Sequence, residues 1–148
     1  MITRALGLVP LIAMLAGCSS SPTVIVDNQT GSWFVGVVQI PTVSSDKSPS
    51  GDTRNELVID SRGPERFRAK DRGFGPVAHY SQDVTVGVRL EDMSWWLVSI
   101  PWNGEPEVLV AIRQAQDGRY EAATNVDAPM AARYVRPDEI DAELGKPQ

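Results

Sequence analysis

Two dipeptides, Asn103-Gly104 and Asp117-Gly118, cut the second half of this chain into apolar runs too short for the helices of a bundle. Asn-Gly and Asp-Gly between apolar runs are the strongest local signals for tight β-hairpins, because their residues tolerate the positive φ that a type I′ turn needs. The stretch 94–125 is therefore expected to form two successive hairpins. At the first turn Trp102 would face Glu105, Pro101 would face Pro106, Leu97 would face Val110 and Trp95 would face Ile112. The two prolines would then share a non-hydrogen-bonded pair, where a missing N–H costs the ladder nothing. The tip would project beyond its sheet. At the second turn Ala115 would pair with Tyr120 and Arg113 with Ala122.

Upstream the pattern is also one of strands. Val24-Ile25-Val26 leads into turn chemistry at Asn28-Gln29-Thr30-Gly31. Residues 33–40 are aromatic and β-branched on both faces, which predicts a doubly covered strand ended by Pro41. Glu56-Leu57-Val58-Ile59 and Arg66-Phe67-Arg68 are weaker strand candidates. Val84, Val86, Val88 and Leu90 alternate with Thr85, Gly87 and Arg89, the period of a strand with one buried face. Adjacent Trp95 and Trp96 must point to opposite faces, so one belongs to the core and the other lies under a second layer or in solvent. Pro137-Asp138-Glu139 suits a helix N-terminus, with Ile140 and Leu144 on one face and Gly145 as the stop. The fold class expected is all-β: an antiparallel β-sandwich or open barrel of about seven or eight short strands, with a short C-terminal helix.

The N-terminus carries the most specific motif. Leu15-Ala16-Gly17-Cys18 closes an apolar run that begins after Arg4 and resembles the lipobox of bacterial lipoproteins. That resemblance implies recognition of Leu15, Ala16 and Gly17 by the signal peptidase and removal of residues 1–17. It also implies a diacylglyceryl thioether on Cys18, usually with an acylated amine. Cys18 is the only cysteine, so it has no disulfide partner. Residues 18–22 would form the lipidated cysteine and a small, polar tether. Residues 23–128 would form the sandwich domain, and 129–148 a tail with the helix. Ser19 follows the cysteine, whereas aspartate there is the family's usual inner-membrane retention signal. The resemblance thus points to the periplasmic face of the outer membrane.

Cleavage would leave 131 of the 148 residues, carrying 13 basic against 19 acidic side chains for a net charge of −6. That balance does not suit nucleic acid, whose affinity comes mainly from neutralised phosphates. It also argues against electrostatic adhesion to anionic lipid, so membrane attachment would come from the acyl chains. The segments 42–53 and 145–148 have loop composition.

Chemistry-bearing residues are few. His79 is the single histidine, and no nucleophile elbow, P-loop or H-E-x-x-H motif is present. A tetrahedral zinc site is not expected with one histidine and no free cysteine. Asp46, Asp52 and the acids between 138 and 143 match no EF-hand spacing. No catalytic residue, metal or cofactor is assigned. Arg66, Arg68 and Lys70 lie in the one basic concentration and would share a strand face, open to an anionic group. Trp102, at a rigid tip beside two prolines and Asn103-Gly104, is the other candidate contact for a partner protein or glycan.

A second, slighter resemblance covers about half the mature chain. Val26-x-Asn28-x-Thr30-Gly31, a long apolar strand, Asn55-Glu56-Leu57 and Asp83-Val84-Thr85-Val86 follow the order of small periplasmic β-sandwich modules of undefined function. The Trp-Gly pair of that family is missing here, and no functional residue carries over. The leading expectation is a membrane-anchored, non-enzymatic binding or envelope-assembly lipoprotein. The alternatives are an envelope hydrolase using His79 and an inhibitor or immunity-type lipoprotein that inserts the Asn103-Gly104 hairpin.

Overall fold

The structure, a computed structural model, describes residues 19–41, 43–44, 55–68 and 83–144. In chain order the strands are β1 (Ser19–Ser20), β2 (Thr23–Asn28), β3 (Phe34–Gln39), β4 (Val43–Ser44), β5 (Asn55–Ile59) and β6 (Glu65–Phe67). They continue with β7 (Asp83–Arg89), β8 (Trp95–Pro101), β9 (Glu107–Gln114), β10 (Tyr120–Thr124) and β11 (Ala131–Val135), and the helix α1 (Ile140–Leu144) follows. Nine strands make two sheets, of order β10-β9-β2-β6 and β11-β8-β7-β3-β5, and β1 pairs with β4 in a separate two-residue ladder. The fold is an all-β sandwich with one short C-terminal helix, and its described strands do not close into a barrel. One pairing departs from the antiparallel expectation: β2 runs parallel to β9, with Thr23 beside Glu107 and Asn28 beside Ile112. A parallel pair cannot be joined by a tight turn, and four of the five strands of the other sheet, β3, β5, β7 and β8, lie between these two strands in sequence.

The strand directions define two poles. Thr23 donates its N–H to the Pro106 carbonyl at 2.9 Å, so the N-terminal pole holds the start of β2, the end of β8 and the start of β9. The far pole gathers the end of β2, the start of β3, the β7–β8 turn and the β9–β10 turn. Ser19-Ser20, expected as a free tether, instead pair with Val43-Ser44.

Between the sheets lie Val24, Val26, Val38, Val84, Val86, Val88, Trp96, Val98, Val108, Val110 and Ile112, all buried. On the outer face of the five-stranded sheet a second cluster joins Val37, Trp95, Leu97 and Val135 to Ile140 and Leu144 of α1. Trp95 and Trp96 thus bury opposite ways, and the second layer is the helix. Strand β7 shows why alternation alone understates burial. Val84, Val86 and Val88 face the other sheet as expected, but Thr85 and Gly87 on the opposite face are buried too. Gly87 stands between Val37 and Leu97 in the cross-strand row, where it makes room for both side chains.

The expected hairpin at Asn103-Gly104 is corrected. Strand β8 pairs with β7 and β11, while β9 pairs with β10 and β2. Residues 102–106 carry the chain from one sheet to the other as an arch. Every residue from Trp95 to Ile100 is buried and both edges of β8 are occupied, so no edge is left for β9. Asn103 lacks the positive φ of a type I′ turn, although Gly104 has φ 97°. Trp102 is not a projecting tip. It is 9% exposed, belongs to the inter-sheet core and donates its indole N–H to the Glu105 carbonyl at 2.8 Å. The second hairpin exists, shifted by one residue: Gln114 faces Tyr120 and Ile112 faces Ala122. Its loop has three residues, which aligns the inward side chains of the two strands. The expected register would have set outward Arg113 against half-buried Ala122. Strand β11 lies within the stretch 129–148, expected as tail, and forms an edge of the five-stranded sheet.

Candidate functional site: an open groove at the far pole

Three turns at the far pole border a groove. The first follows β2. Buried Asn28 accepts hydrogen bonds from the Thr30 N–H at 3.0 Å and the Thr30 hydroxyl at 2.7 Å. Its Nδ2 donates to the carbonyls of Ser32 at 2.8 Å and Ile59 at 3.0 Å. One amide thereby ties the turn to β5 and fixes the chain just before Trp33, which is 65% exposed.

The β9–β10 and β7–β8 turns share a geometry. In the former, Ala115 donates its N–H to the Arg119 carbonyl at 2.8 Å, Gly118 donates to the Ala115 carbonyl at 2.9 Å, and Gly118 has φ 86°. In the latter, Leu90 donates to the Ser94 carbonyl at 2.8 Å, Met93 donates to the Leu90 carbonyl at 3.0 Å, and Met93 has φ 70°. These are three-residue loops whose last residue adopts the left-handed conformation, the usual place for glycine. Met93 is the one non-glycine residue with positive φ among the described residues, and it is 51% exposed. Asp92 steadies its loop by accepting from the N–H of Ser94 at 3.0 Å and, closely, from the Ser94 hydroxyl. The Ser94 hydroxyl, then its N–H, hold the Asp92 carboxyl below the usual aspartate range. Asp117 is likewise lowered, first by the Arg119 N–H and then by its guanidinium, with an Arg119 Nε–Asp117 distance of 2.6 Å.

Between these turns the sheets part around a groove of about 640 Å³. Trp33, Phe34, Leu90, Met93 and Tyr120 supply its apolar surface, and Glu91 and Gln114 are among its polar residues. Its volume lies within the range of small-ligand and side-chain pockets. Tyr120 stacks on core Trp96, with ring centroids 5.7 Å apart and 30° between the planes. Burial, then the negative charge of Glu91, push the Tyr120 phenol above its ordinary value. Met93 and Arg89 also line a smaller cleft of about 330 Å³ between the β7–β8 turn and α1, where Arg89 meets Glu56 at 3.5 Å.

Few of the side chains singled out in the sequence lie here. Arg66 and Arg68 are exposed on or beside β6, and Arg66 is paired with Glu107 at 2.8 Å. Asn103 and Gly104 are exposed on the arch at the N-terminal pole. The exposure that made Trp102 a contact candidate is absent. The acids of the C-terminal segment meet arginines, Asp138 and Glu139 with Arg136 and Glu143 with Arg133. Among the described residues no group of three or more His, Cys, Asp or Glu could hold a metal ion, and no helix is long and apolar enough to cross a membrane. Leu15, Ala16, Gly17, Cys18, Asp46, Asp52, Lys70 and His79 lie outside the described residues. Trp33, Glu91, Met93 and Tyr120 were missed by sequence reasoning. The available signal was at Met93, where a tight loop between two strands lacks the expected glycine.

Comparison with protein-family models, with curated proteins and with solved structures finds no match.

Proposed function

We propose that this chain is a lipid-anchored envelope lipoprotein that acts as a binding module through the groove at its far pole. The anchor reading rests on Leu15-Ala16-Gly17-Cys18 and the lack of any second cysteine. The binding reading rests on one observation: an exposed tryptophan and an exposed methionine in an unfavoured backbone conformation line the same open groove. A backbone outlier that a folded domain retains is a reason to look for function. Isolated exposed apolar residues need no explanation, but apolar residues gathered around one concavity mark a contact site. The geometry supports the rest of the reading. Ser19, the residue that follows Cys18 in sequence, pairs with Ser44 just outside the start of β2 and the end of β3, and the groove opens at the opposite end of the strands. A domain so held would present the groove away from its own membrane.

A photo-crosslinking residue installed at Trp33, with a second variant carrying it at exposed Arg68, tests the binding reading in intact cells. Discrete adducts at position 33 and none at 68 are the expected result. Equal labelling at both positions, or none at 33, removes the groove as the binding site. The anchor is tested separately: Cys18→Ser should release the chain from the membrane fraction or leave it unprocessed, and intact mass should show lipid on the parent protein.

A further inference from the structure

The charges around the groove define what it accepts, on the footing that it is the binding site. Arg89, which lines the groove, is paired with Glu56 at 3.5 Å, and Arg119, next to its Gly118 and Tyr120, with Asp117 at 2.6 Å, while Arg113 stands opposite Glu121 in the β9–β10 ladder. Glu91 lines the groove and has no cationic partner among the described residues. Neighbouring Asp92 is held by Ser94, a neutral group. The β7–β8 turn therefore carries two uncompensated carboxylates beside the exposed side chains of Trp33 and Met93. A binding partner gains by bringing apolar side chains and positive charge together.

We infer that the groove binds a polypeptide segment in which aromatic or aliphatic side chains stand next to lysine or arginine. Trp33 and Met93 supply the apolar contact. Methionine is unbranched and polarizable, so it adapts to varied side chains. The Trp33 ring face offers a cation a further favourable position. Glu91 and Asp92 repel acidic segments and steer basic ones, in keeping with the acidic balance of the chain as a whole. A neutral glycan would use the aromatic surface but gain nothing from the two carboxylates.

Trp33 provides its own reporter. Of the four tryptophans, Trp95, Trp96 and Trp102 are buried, so a ligand covering the exposed indole should shift the long-wavelength emission to the blue. The full-length chain in zwitterionic nanodiscs is titrated with three probes. One is a pentapeptide alternating phenylalanine with lysine, one is its glutamate counterpart, and one is chitotetraose. The lysine peptide should bind at least about tenfold more tightly than the glutamate peptide at low salt. That ratio should shrink as ionic strength rises and the charges are screened. Glu91→Gln should reduce the lysine-peptide affinity about two- to fivefold, as expected for one partly exposed charge. Equal affinity for both peptides, or binding of chitotetraose alone, overturns the inference and leaves the groove reading standing. Failure of all three probes overturns the inference as well. The groove reading itself is decided separately, by the crosslinking at positions 33 and 68.

Discussion

Tyr120 of the four-stranded sheet stacks on Trp96 of the five-stranded sheet, their ring centroids 5.7 Å apart, and Tyr120 also lines the groove. One side chain thus belongs to the packing of the sandwich and to the surface of the site. The phenol is held up first by burial and then by the charge of Glu91. Its titration is therefore a local probe of the groove.

Raising the pH should ionise Tyr120 later than an ordinary tyrosine, and Glu91→Gln should bring that titration down. The sign follows from linkage. A phenol whose folded value lies above its unfolded one contributes stability that is complete below about pH 10, the unfolded value. That contribution is lost as pH rises through the folded value. Absorbance near 295 nm in the parent and in Tyr120→Phe isolates the signal. A Tyr120 titration at or below the ordinary value, or one indifferent to Glu91→Gln, would contradict the arrangement.

Met93 and Gly118 hold the same position in two loops of the same kind, and only Gly118 is suited to it. A side chain in the left-handed region costs roughly 1–2 kcal/mol, against which glycine loses somewhat more chain entropy on folding. Met93→Gly should therefore stabilise the domain by about 1 kcal/mol, read as a rise of a few degrees in Tm. The same variant should weaken capture of the lysine peptide, since the exposed thioether side chain is gone. A loss of stability would mean that Met93 packing outweighs its backbone cost.

Much of the fold was legible because strand identity depends on local pattern. The valines of β7, the apolar run of β3 and the Ile140–Leu144 pair each announced their element and its buried face. Strand pairing was less legible, because it is settled by competition between segments distant in sequence. Asn103-Gly104 offered a hairpin, but β7 and β11 occupy both edges of β8 and the turn became an arch. The burial of Trp102 follows from that single change of partner. The candidate groove was hidden for the same reason. Trp33, Met93 and Tyr120 are far apart in the chain, and only the packing of the two sheets brings them to one pole.

Gly87 tests how tightly the outer face of the five-stranded sheet is filled. A Cβ added there would overlap Leu97 Cδ2 and come within 2.7 Å of Val37 Cγ1. Both neighbours are buried beneath α1, so neither can swing into solvent. Gly87→Ala should destabilise the domain by about 1–3 kcal/mol, the usual range for overpacking. Denaturant unfolding with an unchanged m-value checks it, and a neutral result would mean that this layer is loosely packed.

The last prediction concerns the attachment of α1. Arg133 on β11 donates through Nη1 to the Ser99 hydroxyl at 3.0 Å and through Nε and Nη2 to Glu143 at 3.1 and 2.9 Å. Ser99 in turn shares a hydrogen bond of 3.2 Å with Thr85. A polar chain therefore runs from β7 through β8 and β11 to the helix, beside the apolar contacts of Ile140 and Leu144. The helix spans five residues, too few to persist on its own, so its order depends on these contacts. The Arg133–Glu143 pair is partly exposed and is worth at most about 1 kcal/mol, whereas each buried apolar side chain contributes about 1.5–3 kcal/mol. Glu143→Gln should loosen the helix slightly and Leu144→Ala should release it. Amide exchange at residues 140–144 should rise modestly in the first variant and approach the unprotected rate in the second, while β8 remains protected. Greater exchange from Glu143→Gln than from Leu144→Ala would show that the polar chain, not the apolar face, seats the helix.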